Sequence, residues 1–508
     1  MKPKHLLSKF RTNKTPVPPV KNRSLKAEEV FEDGVVTEEG LRQLFEKCAD
    51  VNIQIMKLGT THVAQSVILV SDEGLANSEV INQFIIPRLE EAIDEANIGS
   101  ELNLKLQHSR IEPNDIVYRV FSGQLIVYVS DRRSLFAIDI ADPPQRIPTD
   151  SNTEISIKGP RDAFVEELQV NVALLRKRLR TNTFRYETFN IGSRSKTRVA
   201  LLYIQDFIRP EMVEEARTRL KHIDLDTLFS SAQLEQILSD NSRSLFPLVH
   251  YSARPDFVVD CLSHGRFAVL ADGAPIAAIA PVNFSLLLKS PEDIYFPFHI
   301  VAAEMLIRYF GFMIALFLPG FWVALSSYNM DQLPFPLLAT LVITMRGLPL
   351  TGPLEALFML ALFEVFREAG VRLPKAVGQT VAVVGGIIVG DAVIRAGLTS
   401  TMMLVVAALT AVSTFTLVNQ TLAYGVGVLR FLILACSSFL GMYGFILGTL
   451  AVVLHLSRLE SFGIPYLAPL SPLRRNDVLG AMFRKTYTYR GVPQFLKEED
   501  TNRRGGSP

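Results

Sequence analysis

Cysteine is scarce: only Cys48, Cys261 and Cys436 occur in 508 residues, far apart and with no CxxC or Cys/His spacing. A disulfide framework and a zinc site are therefore not expected. The eight histidines are scattered, and His455 sits at the end of an apolar run. The chain has no phosphate-binding P-loop, no GxGxxG after a strand, no GxSxG and no HExxH. The expectation is a protein that is not an enzyme and uses no metal or cofactor. An excess charge of one sign is also missing, since 52 Lys and Arg face 51 Asp and Glu. The distribution is uneven, because the first 26 residues hold eight Lys or Arg and no acid. Residues 1–38 read as a basic disordered tail beside an anionic membrane surface, with no nucleic-acid role. No apolar run follows closely, so no secretory signal peptide is expected.

Long apolar runs are concentrated in residues 301–470, which read as a transmembrane domain followed by a cytoplasmic tail over 471–508. Between Pro374 and Arg395 the chain is apolar and glycine-rich, long enough to cross about 30 Å of hydrocarbon as a helix. It carries Gln379 and Asp391 inside, and such polar groups need a wet or protein-covered face. Gly386 and Gly390 form a GxxxG step widened by Gly385. With Val383 and Val389 these residues are pore-lining or helix-packing candidates. A first span follows Arg308, with Pro319 as an expected kink, and a short run, Leu333–Met345, suits a re-entrant or interfacial position. Pro353–Phe366 reads as a helix with two intramembrane acids, Glu355 and Glu364. Leu398–Val418 reads as a clean span, and the last is expected at about Phe431–Leu456, with Gly441, Gly444 and Gly448 on a close-packing face. Four or five crossings fit, and both hydrophilic ends are expected in the cytoplasm by charge.

The first half alternates strands and helices. Helix, strand VNIQIMKL, strand SVILVSD, helix, then the pair SGQLIVYVSD and SLFAIDIAD form a first α/β subdomain, 39–150. The order returns over 197–300 with RVALLYIQD, a helix, and a hairpin turning at Asp272-Gly273, which predicts a tandem duplication. The connecting segment, 151–196, contains GPRDAFVEELQVNVALLRKRLR. Phe164, Leu168, Val172 and Leu175 recur at helical spacing, with Asp162 and Glu166 at the start and Arg176, Lys177 and Arg178 at the end, which predicts a capped amphipathic helix. Its functional readings are an interface or a lipid-headgroup contact.

These blocks resemble the A subunits of bacterial spore germinant receptors, the GerA/GerB/GerK type. The resemblance is carried by Gly159-Pro160-Arg161 with Phe164, Glu166 and Asn171, by Arg254-Pro255-Asp256, by Ser290-Pro291-Glu292-Asp293 with Tyr295, and by Leu318-Pro319-Gly320. Arg367 to Pro374, Gly378-Gln379, and Ser461-Phe462-Gly463 with Pro465-Tyr466 complete it. Ala253 and the lack of a tryptophan after Asp240 depart from the pattern. The resemblance implies a multi-pass protein of the inner spore membrane, acting with a transporter-like B subunit and a lipoprotein C subunit. It also implies a homo-oligomeric ring, a pentamer, that releases ions, with Gly159, Pro160, Arg161, Glu166, Asn171, Arg176 and Arg178 in assembly or interface positions. The alternatives are a non-conducting scaffold, a paralogue linked to the dipicolinate channel and working without B and C subunits, and a transporter using Glu355, Glu364 and Asp391. No inverted repeat in the spans supports the last.

Overall fold

A computed structural model describes residues 38–58, 65–94, 113–130, 134–144, 157–228, 231–372, 390 and 392–471. Two antiparallel sheets organise the first half. In the first lobe, β1 (Val51–Leu58), β2 (Gln65–Asp72), β3 (Gln124–Val129) and β4 (Ser134–Asp139) pair in chain order. In the second, β5 (Phe184–Ile191), β6 (Thr197–Ile204), β8 (Phe267–Ala271) and β9 (Ala277–Ala280) repeat that order, and the short β7 (His250–Ser252) adds an edge. The expected duplication is therefore present in the topology.

Both faces of the first sheet are covered, which is why β2 and β3 are apolar runs rather than alternating ones. One face packs against α1 (Glu38–Leu44) and α3 (Pro113–Val120) through Leu41, Ile116 and Val120. The other packs against α2, which begins at Ser78–Val80, passes through a π-turn at Ile81–Ile85 and continues as Ile86–Asp94. Asn77 caps its start, accepting from Glu79 and Val80. In the second lobe α5 (Pro210–Lys221) and α6 (Ser231–Leu238) cover one face. The opposite face packs against α4 (Leu168–Arg176) and α7 (Pro255–Ser263), and its apolar core runs on into the second half of the chain.

The connecting segment differs from expectation in two ways. Phe184–Ile191 is a full strand paired residue by residue with β6, and its polar Arg185 and Glu187 are what disguise it. The expected helix over Gly159–Arg180 shrinks to Leu168–Arg176, with Glu167 extended at its start and contributing no side-chain cap. Asp162 and Glu166 thus lie outside the helix. Residues before it are held straight instead: Phe164 donates to the Ala253 carbonyl at 2.8 Å, and Asn171 folds back to bond both backbone groups of Val165, at 2.8 and 2.6 Å.

The second half is a helical bundle: α8 (Phe298–Tyr328), α9 (Phe335–Met345), α10 (Gly352–Arg372), α11 (Thr401–Phe415) and α12 (Gln420–Arg458). Among the described residues two helices, α8 and α12, are long and apolar enough to cross a membrane by length and composition. Pro319 is accommodated inside a continuous α8. The expected last span is not one rod. At Gly441 α12 leaves helical geometry, with φ 61° and ψ −137°. A Cβ on Gly448 would lie 3.5 Å from Ile433 and 3.8 Å from Cys436, whereas twelve to fifteen residues along a straight helix span roughly 18–22 Å. The helix is a hairpin, and Gly444 and Gly448 pack one leg on the other.

Contacts align the bundle end to end. Arg308 of α8 meets the second lobe through Asp293, and Asn419, which caps α12, meets His250. At the other end Tyr328 lies against Gly441 and Ser327 against Gly352. Glu364 and Arg367 of α10 return to the level of Gly427, while Thr399 and Ser400 start again at the far end beside Glu355. Arg367 therefore lies on the lobe side and Thr399 on the far side. The returning leg of α12 finishes beside the lobe, where Ser461 donates to the Leu248 carbonyl at 2.9 Å.

Candidate functional site, a chain of buried joints from lobe to bundle

The buried charged groups lie on a path from the first lobe to the bundle. Its first joint is Arg176, fully buried at the end of α4 and forked onto Asp50 of the first lobe at 2.8 and 2.9 Å. The guanidinium also donates to the Thr181 and Phe184 carbonyls at 2.8 and 3.1 Å. Its flat faces stack on Phe121, at 3.8 Å, and Phe184, at 4.6 Å, one from each lobe. Planar delocalised charge suits this position better than an ammonium would. Arg178 pairs with Asp162 at 2.5 Å.

Asp72 sits beside this pair. Its Oδ1 accepts from the Gly74 and Leu75 amides at 2.9 and 3.0 Å, and its buried Oδ2 has no hydrogen-bond partner among the described residues. Burial, and then the Asp50 carboxylate, push its pKa up to about 8. The unfolded chain releases this proton near pH 4 while the folded chain keeps it, so the carboxyl costs stability increasingly as pH rises from about 4 to about 8. Asp72→Asn removes that titration. In thermal melts the variant is expected to gain on the parent between pH 5 and pH 8, and a constant difference across that range would refute the assignment.

The second joint ties the lobe to the connecting segment. Arg254 is buried between Asp256, at 3.1 and 2.7 Å, and Glu292, at 2.5 Å. Burial opposes its charge, and the hydrogen bonds of those carboxylates more than offset this, so its pKa is raised. Tyr295 donates to Asp256 at 2.8 Å, and the Lys158 amide donates to Glu292 at 3.0 Å. Gly159 passes so close that a Cβ would sit 2.7 Å from the Tyr295 ring. Pro160 is half-buried, and the Arg161 and Glu166 side chains face outward; the Glu166 carbonyl accepts from Gly273 at 2.7 Å. Asp272 caps α4 by accepting from Leu168 at 3.1 Å and also pairs with Arg198 at 3.3 Å.

The third joint enters the bundle. Ser290 and Asp293 form a capping box, and the same Asp293 takes Arg308 of α8 in a bidentate pair at 2.7 and 2.9 Å. Neighbouring carboxylates of one short motif thus hold different partners, Glu292 the lobe arginine and Asp293 the bundle arginine. His250 meets Asn419 at 2.8 Å; burial and the nearby Arg266 lower its pKa to about 4, so it is neutral at physiological pH. Sequence reasoning missed Asp50, His250, Arg308 and Asn419. The signals available were an arginine at the edge of an apolar run and an asparagine directly before a helix.

Glu355 and Glu364 lie within the bundle, each tied to neighbours. Glu355 is 2 % exposed and accepts from the Thr399 and Ser400 hydroxyls at 2.7 and 2.6 Å. Glu364 bridges Arg367 and Arg430, the latter at 3.2 Å. Gly390 is helical and buried, with Leu404 at 3.8 Å from where its Cβ would be. Gln379, Val383, Gly385, Gly386, Val389 and Asp391 lie outside the described residues. No cluster that could hold a metal ion occurs among the described residues.

Two α/β lobes of one topology, joined by buried ion pairs to an apolar helical bundle, define the class of protein. The chain belongs to the Bacillus/Clostridium GerA spore germination protein family, whose model matches residues 39–491. It is 41% identical over 465 residues to spore germination protein XA of Bacillus anthracis, covering 89% of this chain and 94% of that one. It is 32% identical over 466 residues to spore germination protein KA of Bacillus subtilis (strain 168), covering 90% and 85%. The crystal structure of the N-terminal domain of the A subunit of the Bacillus megaterium spore germinant receptor GerK3 aligns at 25% identity with a TM-score of 0.37, covering 49% of this chain and 96% of that one.

Proposed function

We propose that this chain is the A subunit of a nutrient-sensing spore germination receptor in the inner spore membrane. It acts with a transporter-like B subunit and a lipoprotein C subunit, and copies of it close a ring of five through which ions leave. The observation that carries this reading is the unbroken core between the second lobe and the bundle, in which Phe184 and Leu270 belong to the same cluster as Phe312, Ile433 and Val452. A lobe so fused cannot rotate without moving α8 and α12, and that is the mechanical requirement for a soluble region that controls a membrane path. The order of bundle ends suits six passes with both hydrophilic ends on the lobe side, one more than the upper estimate from hydropathy.

One observation favours the scaffold reading: Gly444 and Gly448 are used inside the chain's own hairpin rather than for packing between copies. Spores carrying Gly386→Leu or Val389→Phe decide between the readings. Ion release on nutrient addition is expected to fall sharply with receptor abundance unchanged, because a bulky side chain blocks the close approach of neighbouring helices. Unchanged release would reject the conducting role.

A further inference from the structure

At the far end of the bundle α8, α10 and α12, with Met345 of α9, flank a half-open cavity of about 730 Å³. Its walls are Met330, Met345, Leu354, Leu357, Phe431 and Leu434, and none of its lining residues is Asp, Glu, Lys, Arg or His. It extends from Tyr328, at the end of α8, to Phe431 on the first leg of α12. Phe431 to Phe439 along that leg is about 12 Å, the length of a medium alkyl chain. Ser327 is among the lining residues, but its Oγ is buried with no hydrogen-bond partner among the described residues. Gly352 lies directly over that oxygen, since a Cβ there would sit 2.5 Å from it. Phe439 and Leu354, at the mouth, are 83% and 53% exposed, so the cavity opens on the outer, apolar surface of the bundle rather than toward the lobes.

The lining carries no charge and is mostly apolar, with hydroxyls of Ser326, Tyr328, Thr351 and Ser438 among it, so a free ion brings a charge that the walls cannot satisfy. A hydrocarbon chain brings none. We propose that the cavity holds one acyl chain of a membrane phospholipid. The lipid would then wedge α9 and α10 against the bend of α12, at the end of the bundle opposite the lobes. This inference rests on the membrane placement proposed above.

The test uses the full chain in phosphatidylglycerol vesicles containing a phospholipid with a photoactivatable diazirine on one acyl chain, followed by peptide mapping. Labelling is expected at Met345, Leu357 and Phe431 and is expected to fall at least fivefold in Leu357→Trp and in Ala435→Leu, which fill the slot from opposite walls. Phe415, 70% exposed on the bundle surface, reports folding and insertion and should label equally in every variant. Cavity labelling that survives both filling variants, or that a diazirine fatty alcohol gives without competition from added phospholipid, would overturn the proposal. Loss of labelling at Phe415 in the parent would instead overturn the membrane placement.

Discussion

Arg176→Met is expected to separate the two lobes. The substitution leaves Asp50, 6% exposed, buried without its cation, and breaking a buried pair in this way costs about 3–5 kcal/mol. It also removes the stacking on Phe121 and Phe184 and leaves the Thr181 and Phe184 carbonyls without a donor. Limited proteolysis of the full chain should then cut within 145–183, between the lobes, at least about tenfold faster than in the parent, each 1.4 kcal/mol being a factor of ten in the opened population. Asp50→Asn in the same chain should recover part of the loss, because the stranded charge is what is costly. Equal cleavage of parent and variant would show that the seam is held without this ion pair, by the backbone bridge of Cys48 to Tyr186 and the packing around it.

The joint at Arg176 shows what a sequence discloses and what it hides. The basic run after Leu175 is visible, but periodicity places Arg176 only at a helix end, open to an interface or a lipid headgroup, because nothing local distinguishes a buried arginine from an exposed one. Its partner lies 126 residues away, and Asp50 is brought there by the bridge of Cys48 to Tyr186, in which Ala49 donates to the Tyr186 carbonyl and Tyr186 to the Lys47 carbonyl. The duplication is legible because β2, β3, β6 and β8 are covered on both faces and so are continuous apolar runs. β5 is hidden by its alternation, with the Glu187 carboxylate taken up by Arg217 and Tyr203. Ser290-Pro291-Glu292-Asp293 is recognisable as a block, yet its chemistry emerges only when Arg254 and Arg308 arrive from either side. Pattern reveals elements, and charge pairing across long separations is set by topology.

The bend of α12 escapes hydropathy for a different reason, and it supports the sharpest expectation. From Phe431 to Leu456 the run has no Asp, Glu, Lys or Arg, because the reversal lies at the far end of the bundle, where the glycine backbone turns without a charged loop. A Cβ at Gly448 would stand 3.8 Å from the Cys436 Cβ, which is the usual separation across a disulfide. Gly448→Cys is therefore expected to form a bond with the native Cys436 on mild oxidation, detectable as a linked peptide pair. In a straight helix these positions lie about 18 Å apart and no bond forms. Adding Gly441→Leu should abolish the link, because φ 61° with ψ −137° is open to glycine almost alone, at a cost of about 1–3 kcal/mol for other residues. The new Cβ would also stand 2.9 Å from the Tyr328 side chain. With the reversal lost, the second leg projects away from α8, and Ser461 no longer reaches the Leu248 carbonyl, so the lobe loses its attachment to the returning leg. A link that persists with Gly441→Leu would mean that packing of Gly444 against Cys436, rather than the backbone freedom of Gly441, closes the hairpin.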